Sequence, residues 1–266
     1  MPSTYPRGEN RMGKEQQIIR DRLQRLIKGI KKANYKNCDA EHMARLAEER
    51  INELQRSGVK WVDRFVQKLL KVVGKKEAYL DILMEGRFAV VLARNGFSEI
   101  EIEFCDKGPD LKAVWNRKTV YFEVTRKRPS EVYEQRSRSG PYWLKPGESE
   151  DVIGKIQPKL RQLKSGELNV VVLWSDTPEW SEHVLEEAHK YIQQEICSAI
   201  LFTGSGGVDQ TTLKQFYLFE NNKASKPLGR RLAKKLDNLH ERKLRQLQRK
   251  KKELEAAFKR MRAKGN

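Results

Sequence analysis

The stretch Gly108-Pro109-Asp110-Leu111-Lys112-Ala113-Val114-Trp115-Asn116-Arg117-Lys118-Thr119-Val120-Tyr121-Phe122-Glu123-Val124-Thr125 decides how this chain is read. Two short runs of β-branched and aromatic residues flank a polar Asn116-Arg117-Lys118 break, the pattern of a β-hairpin. An even-length loop centred between Asn116 and Arg117 sets residue 110 opposite residue 123. Opposite residues of an antiparallel pair point to one face with Cβ atoms about 5 Å apart. Two carboxylates would then meet across one hairpin, where they repel unless something cationic lies between them. A hard divalent ion with oxygen ligands is the natural neutraliser. Alternation along the second run sets Thr119, Tyr121, Glu123 and Thr125 on one face and Val120, Phe122 and Val124 on the other.

Before the hairpin the chain reads as helical. Ile18, Ile19, Leu23, Leu26, Ile27 and Ile30 keep helical spacing between Lys14 and about Lys32. Asp39 is a plausible N-cap for a second helix running to about Gln55, whose stripe is Leu46, Ile51 and Leu54, with Met43 left outside it. A third helix is expected over Val59–Val73, ended by Gly74. A helix-turn-helix reader would need more than the Ser57-Gly58 turn, a feature too common to support one. A fourth helix spans Lys76 to about Asn95, closed by Asn95-Gly96, with Glu85 in its middle among Leu80, Ile82, Leu83, Phe88, Val91 and Leu92. Residues 100–104 alternate as a strand, with Glu99, Glu101 and Glu103 on one face.

Beyond the hairpin, residues 128–149 hold three prolines and several Ser, Gly and Arg, a long loop of the kind that tends to be functional. A helix follows from Glu150 to Lys164, with Pro158 as an irregularity and Gly166 as its stop. Asn169–Trp174 is a continuous apolar run, as expected of a strand buried on both faces. An amphipathic helix over 180–194 and strands near 199–202 and 215–219 complete the pattern. From Gly229 to Lys264 the chain reads as one charged helix with a short, imperfect heptad seam through Leu244, Leu247, Leu254, Phe258 and Met261. The expected fold class is α/β: a central mixed β-sheet flanked by helices. The expected organisation is a helical N-terminal region (1–75), an α/β core (76–222) and a basic C-terminal helix (229–264).

Charge narrows the partners. The chain carries 54 Lys and Arg against 36 Asp and Glu, a formal net charge of +18 over 266 residues. Basicity on this scale argues for a polyanion, and nucleic acid is the usual one, against the blander alternative of a basic or ribosome-associated surface. Residues 228–266 alone supply +11 of that excess. No apolar run is long enough to span a bilayer, and the N-terminus lacks the layout of a signal peptide. Cys38, Cys105 and Cys197 are odd in number and scattered, so neither a disulfide framework nor a zinc site follows, and a reduced, cytoplasmic location is expected. His183 and His189 are too far apart for adjacent helix turns, Gly204–Gly207 lacks a P-loop ending, and no Gly-x-Ser-x-Gly elbow occurs.

A helix glutamate, a strand, Pro-Asp, a hairpin and then Glu-x-x resembles the core of the PD-(D/E)xK, or restriction-endonuclease-like, nuclease superfamily. The residues that carry the resemblance are Glu85, Pro109-Asp110 and Glu123-Val124-Thr125, and it covers about Lys76 to Trp174. It implies metal-dependent phosphodiester hydrolysis, with Mg²⁺ (or Mn²⁺) held by Asp110, Glu123 and the Val124 carbonyl and assisted by Glu85. Such an ion wants an octahedron of oxygens and would sharpen a water nucleophile. The sequence departs from the motif at Thr125, where the superfamily has a lysine. Candidates to fill that role are Lys155 and Lys159, one turn apart on the following helix, and Lys127 in the strand itself. Arg126, Lys127, Arg128, Arg136, Arg138 and Trp143, with Tyr142, mix cations and stacking surfaces suited to nucleic acid, DNA foremost. Each residue has a plainer reading alone: Pro-Asp as a turn, Glu123 as a surface partner of Arg126 or Lys127, and Glu85 as a partner of Arg87 or Arg94. The rival functions are an inactive nucleic-acid-binding relative on the same fold and a coiled-coil interaction protein acting, or dimerising, through its C-terminal helix.

Overall fold

The computed structural model describes residues 9–33, 40–103, 108–127, 148–175, 189–190, 195–204 and 216–240. Within them the order is α1 (Glu9–Lys32), α2 (Ala40–Arg56), α3 (Val62–Lys71), α4 (Lys76–Arg94), β1 (Ser98–Ile102), β2 (Leu111–Trp115), β3 (Lys118–Lys127), α5 (Glu148–Leu160), β4 (Leu168–Ser175), β5 (Ala199–Gly204), β6 (Phe216–Glu220) and α6 (Arg230–Asp237). The strands form one six-stranded mixed sheet in sequence order. The β1–β2, β2–β3 and β5–β6 pairs are antiparallel, while β3–β4 and β4–β5 are parallel. Among the described residues no helix is long and apolar enough to cross a membrane.

The hairpin has the expected register. Trp115 pairs with Lys118 and Leu111 with Phe122, so the next position outward sets Asp110 against Glu123. Asn116 and Arg117 both have positive φ, 47° and 64°, as a two-residue turn matching strand twist requires.

The sheet is covered on both faces. Val170, Val172 and Trp174 of β4 join Val120, Phe122 and Val124 of β3 in a core shared with α1–α4 and α6. Val171 and Leu173 face the opposite cluster, built on Ile156 and Leu160 of α5. Every residue of β4 is buried, which accounts for its apolar run Val170–Trp174, and the buried Asn169 side chain is bonded to backbone carbonyls of Lys164, Glu167 and Ile196. Helices α1–α4 share the core of the sheet.

Several sequence expectations are corrected. Met43 is buried at the α2 contact with the rest of the core, because Ala44 and Ala47 beside it let the helices approach closely. The third helix starts at Val62: Lys60 is drawn into a parallel bridge with Glu101, its N–H donating to the Ile100 carbonyl at 2.8 Å. In β1 the pairing shifts between Ser98 and Glu101, with Glu99 at φ 47°, so the three glutamates do not form one regular row. The helix after the loop ends at Leu160 rather than Lys164, soon after Pro158, which has no N–H for the ladder. The helix expected from Gly229 stops early: α6 ends at Asp237, and the Asn95 side chain binds both the N–H and the carbonyl of His240. Residues 241–266, with the heptad seam and its expected partner, lie outside the described residues, as do residues 180–188 and 191–194 of the expected amphipathic helix and the loop from 128 to 147.

Gly86 marks the closest approach of α4 to α3. A Cβ there would lie 2.7 Å from the Phe65 ring, which is fully buried, and 3.0 Å from Arg50 Cγ. Gly86→Ala would gain about 1 kcal/mol of helix propensity and lose more to overpacking, about 1–3 kcal/mol. A net loss of stability in urea unfolding is expected; an unchanged midpoint would mean that the two helices separate freely.

Candidate metal centre

The site forms where the end of β1, the start of β2 and the middle of β3 meet α3, α4 and α5. Glu85 lies in the middle of α4, on the turn that faces α3. Glu103 follows β1 with φ 52°, and its N–H donates to the Asp110 carbonyl at 3.0 Å. Asp110 follows Gly108-Pro109 at the start of β2. Its Oδ2 accepts the Val124 N–H at 2.9 Å, and its own N–H donates to Glu123 Oε2 at 3.3 Å. Glu123, in the middle of β3, is completely buried. The register expected from the hairpin therefore does bring the two carboxylates together.

Two lysines offset half of the cluster's formal charge. Lys159 Nζ lies 2.5 Å from Glu123 Oε1. Lys68 Nζ, from α3, lies 2.7 Å from Glu103, 2.8 Å from Glu85 and 3.5 Å from Asp110. Four carboxylates against two ammonium groups leave a formal excess of two negative charges. Burial, then the neighbouring Asp110, pushes the Glu85 carboxyl well above its ordinary range, although Lys68 opposes the shift. The same two causes raise Glu123 to about 8 against the pull of Lys159. Burial alone would lower both lysines, yet the carboxylates around them raise them, so both stay charged.

The donor set suits a hard cation. One oxygen each from Glu85, Glu103 and Asp110 lies within 4.8 Å of the others. All three donors are carboxylate oxygens, the ligands of Mg²⁺, Mn²⁺ or Ca²⁺ rather than of zinc. One divalent ion would cancel the excess charge, so the residues present fit such an ion without choosing among these metals. Glu123 and Val124, expected as direct ligands, stand beside this triad, Glu123 engaged by Lys159 and Val124 holding Asp110 through its N–H.

The single-residue readings fare differently. Glu85 pairs with Lys68; Arg94 pairs with Glu53. Arg126 turns inward, its buried guanidinium bonded to Glu77 and Asp81 at the start of α4. It braces α4 against β3, which does not leave it on the surface that the basic loop was expected to form. Lys127 closes the β3–β4 ladder opposite Ser175; Arg128, Arg136, Arg138, Tyr142 and Trp143 lie outside the described residues. Of the lysine candidates on α5, Lys159 reaches the site and Lys155, one turn earlier, is exposed. Sequence reasoning missed Lys68 and passed over Glu103. The run Glu99, Glu101, Glu103 was a usable signal for the second; nothing near Lys68 in sequence marks it, because it reaches the site only once α3 packs on α4. Cys197 is buried, its thiol pushed up to about 11 by burial, and offers no reactive thiolate. No protein-family model matches the chain, and no curated protein matches it.

Buried charge excess makes stability depend on pH. The folded value of Glu123, about 8, lies above its ordinary 4.5. Its stabilising contribution is therefore full below about pH 4.5 and is lost as pH rises through about 8. Metal-free protein in EDTA should melt several degrees lower at pH 9 than at pH 6, and Glu123→Gln should flatten part of that slope, the raised Glu85 carboxyl keeping the rest. A wild-type melting temperature independent of pH over this window would mean the carboxylates are not in charge excess.

Proposed function

We propose that the chain is a divalent-metal-dependent nuclease with a restriction-endonuclease-like core, hydrolysing phosphodiester bonds in nucleic acid, with DNA the favoured substrate. The observation that carries this reading is the Lys159–Glu123 contact. Thr125 leaves the motif without its cation, and a lysine from α5 supplies one at the same carboxylate. Glu85, Glu103 and Asp110 would hold Mg²⁺ or Mn²⁺, with Glu123 and Val124 beside them. A bound ion would supply an activated water and neutralise charge building on phosphorus. Lys159 would orient that water with one of its three N–H donors and stabilise the developing negative charge. The net charge of +18 supports a polyanionic substrate bound with steep salt dependence.

A second reading, a nucleic-acid-binding protein without catalysis, is favoured by Lys68. Its ammonium already bridges the three carboxylates that an ion would take, and it competes with any metal for them.

Purified protein incubated with plasmid, single-stranded DNA and RNA, each with Mg²⁺, Mn²⁺ or EDTA, separates the two. Cutting in either metal and none in EDTA is expected, abolished by Asp110→Ala or Glu123→Ala. Lys159→Ala should slow it about 10²–10³-fold, the usual loss for one charge-stabilising donor. Salt-sensitive binding with no cutting by wild type or by Lys68→Ala would sink the nuclease reading and leave the second.

A further inference from the structure

We propose that Trp61 is a stacking platform for an unpaired nucleobase, so that the polynucleotide reaching the carboxylate cluster is single-stranded or locally unpaired there; this rests on the nucleic-acid reading above. Among the described residues two large apolar side chains are exposed, Ile18 and Trp61, the latter at 42%. Trp61 takes φ 64° and ψ 28°, a left-handed conformation that residues with a Cβ seldom adopt and that tends to be kept where it serves a purpose. The chain holds it there from both sides. Before it, the Lys60 N–H donates to the Ile100 carbonyl at 2.8 Å, and the Ile102 N–H donates to the Lys60 carbonyl at 3.3 Å. After it, the N–H groups of Arg64 and Phe65 donate to the Trp61 carbonyl at 3.0 and 3.3 Å, opening α3. The backbone is pinned, yet the residue stays 42% exposed instead of folding wholly into the apolar core nearby.

The position of this ring is specific. The Arg64 guanidinium carbon lies 4.5 Å from the ring centroid, covering one face. The same guanidinium donates to the Glu103 carbonyl at 3.3 Å, and Glu103 is one of the three carboxylates of the candidate metal centre. Trp61 caps α3 with its ring against Arg64 of the first turn, and Lys68 follows Arg64 at a four-residue step along the helix. At 1.5 Å per residue the path from Trp61 to Lys68 is about 10 Å, roughly three stacked nucleotides at 3.4 Å each. An aromatic face backed by a guanidinium, beside cations and a phosphodiester-cleaving centre, is the chemistry that takes bases of single strands. In a duplex those base faces are already covered by their neighbours. The strong positive charge of the chain favours this polyanion over an apolar peptide on the same ring.

Binding measured without metal tests the assignment independently of catalysis. Full-length protein in EDTA is titrated into a fluorescent thymidine oligonucleotide and, separately, into a blunt DNA duplex, with anisotropy as the readout. Trp61→Gly suits a positive φ but gives up the ring's packing on Arg64, and should stay folded with a melting temperature within a few degrees of wild type. It should bind the single strand about tenfold more weakly, the loss of one stacked base, with duplex binding unchanged, and Trp61→Phe should keep most of the affinity. Equal single-strand affinity for Trp61→Gly and wild type, or an equal loss on both ligands, overturns the platform and leaves the nuclease reading standing. If wild-type protein binds neither oligonucleotide, the nucleic-acid reading fails first and the platform with it.

Discussion

Lys68 and Lys159 hold four carboxylates together at one edge of the sheet, and the rest of the site depends on that balance of charge. Each lysine comes from a helix packed on a different part of the sheet: α3 beside α4, and α5 over β3. Removing either ammonium would leave buried carboxylates facing one another, a far less favourable state than the paired one. The cluster survives burial because Asp110 and Glu123 also make backbone hydrogen bonds, which orient the oxygens as well as satisfy them. Preorganisation of this sort, with polar groups fixed before any ligand arrives, is what an electrostatic catalyst requires.

The scaffold earns its rigidity from the two-sided cover of β3 and β4. Phe122, between Leu111 and the parallel strand, packs edge-on against Phe88 of α4 with ring centroids 5.4 Å apart. Its neighbour Glu123 points the other way, toward α5. A strand alternating between a dry aromatic core and a charged pocket fixes where that pocket lies to within one residue, since a slip would exchange the two faces. Gly86 beside Glu85 serves the same end on α4, letting α3 come close enough for Lys68 to reach the cluster.

Lys159 brings its ammonium to Glu123 from α5 and not from the strand that carries the carboxylate. Lys68 is the counterweight. Its three-way contact makes the cluster electrostatically tolerable without an ion and sets the competition that any incoming cation must win.

Local pattern determined much of this protein by itself. The apolar run of β4, the Asn116-Arg117 turn and the alternation of β3 are short-range signals, and they carried the mixed sheet, the hairpin register and the meeting of Asp110 with Glu123. Glu85 was legible as a helix glutamate among apolar neighbours and Lys159 as one of two lysines on the helix after the loop, with nothing in the spacing to choose it over Lys155. Only the tertiary structure decided that Lys68 and Glu103 join the cluster, that Arg126 turns inward, and that the helix expected from Gly229 ends at Asp237. Those outcomes arise from helix-on-helix packing, an ion pair across many residues and an asparagine grasping a distant backbone. A sequence lists such partners without stating their distances, and periodicity, which reports which face is buried, does not report what it is buried against.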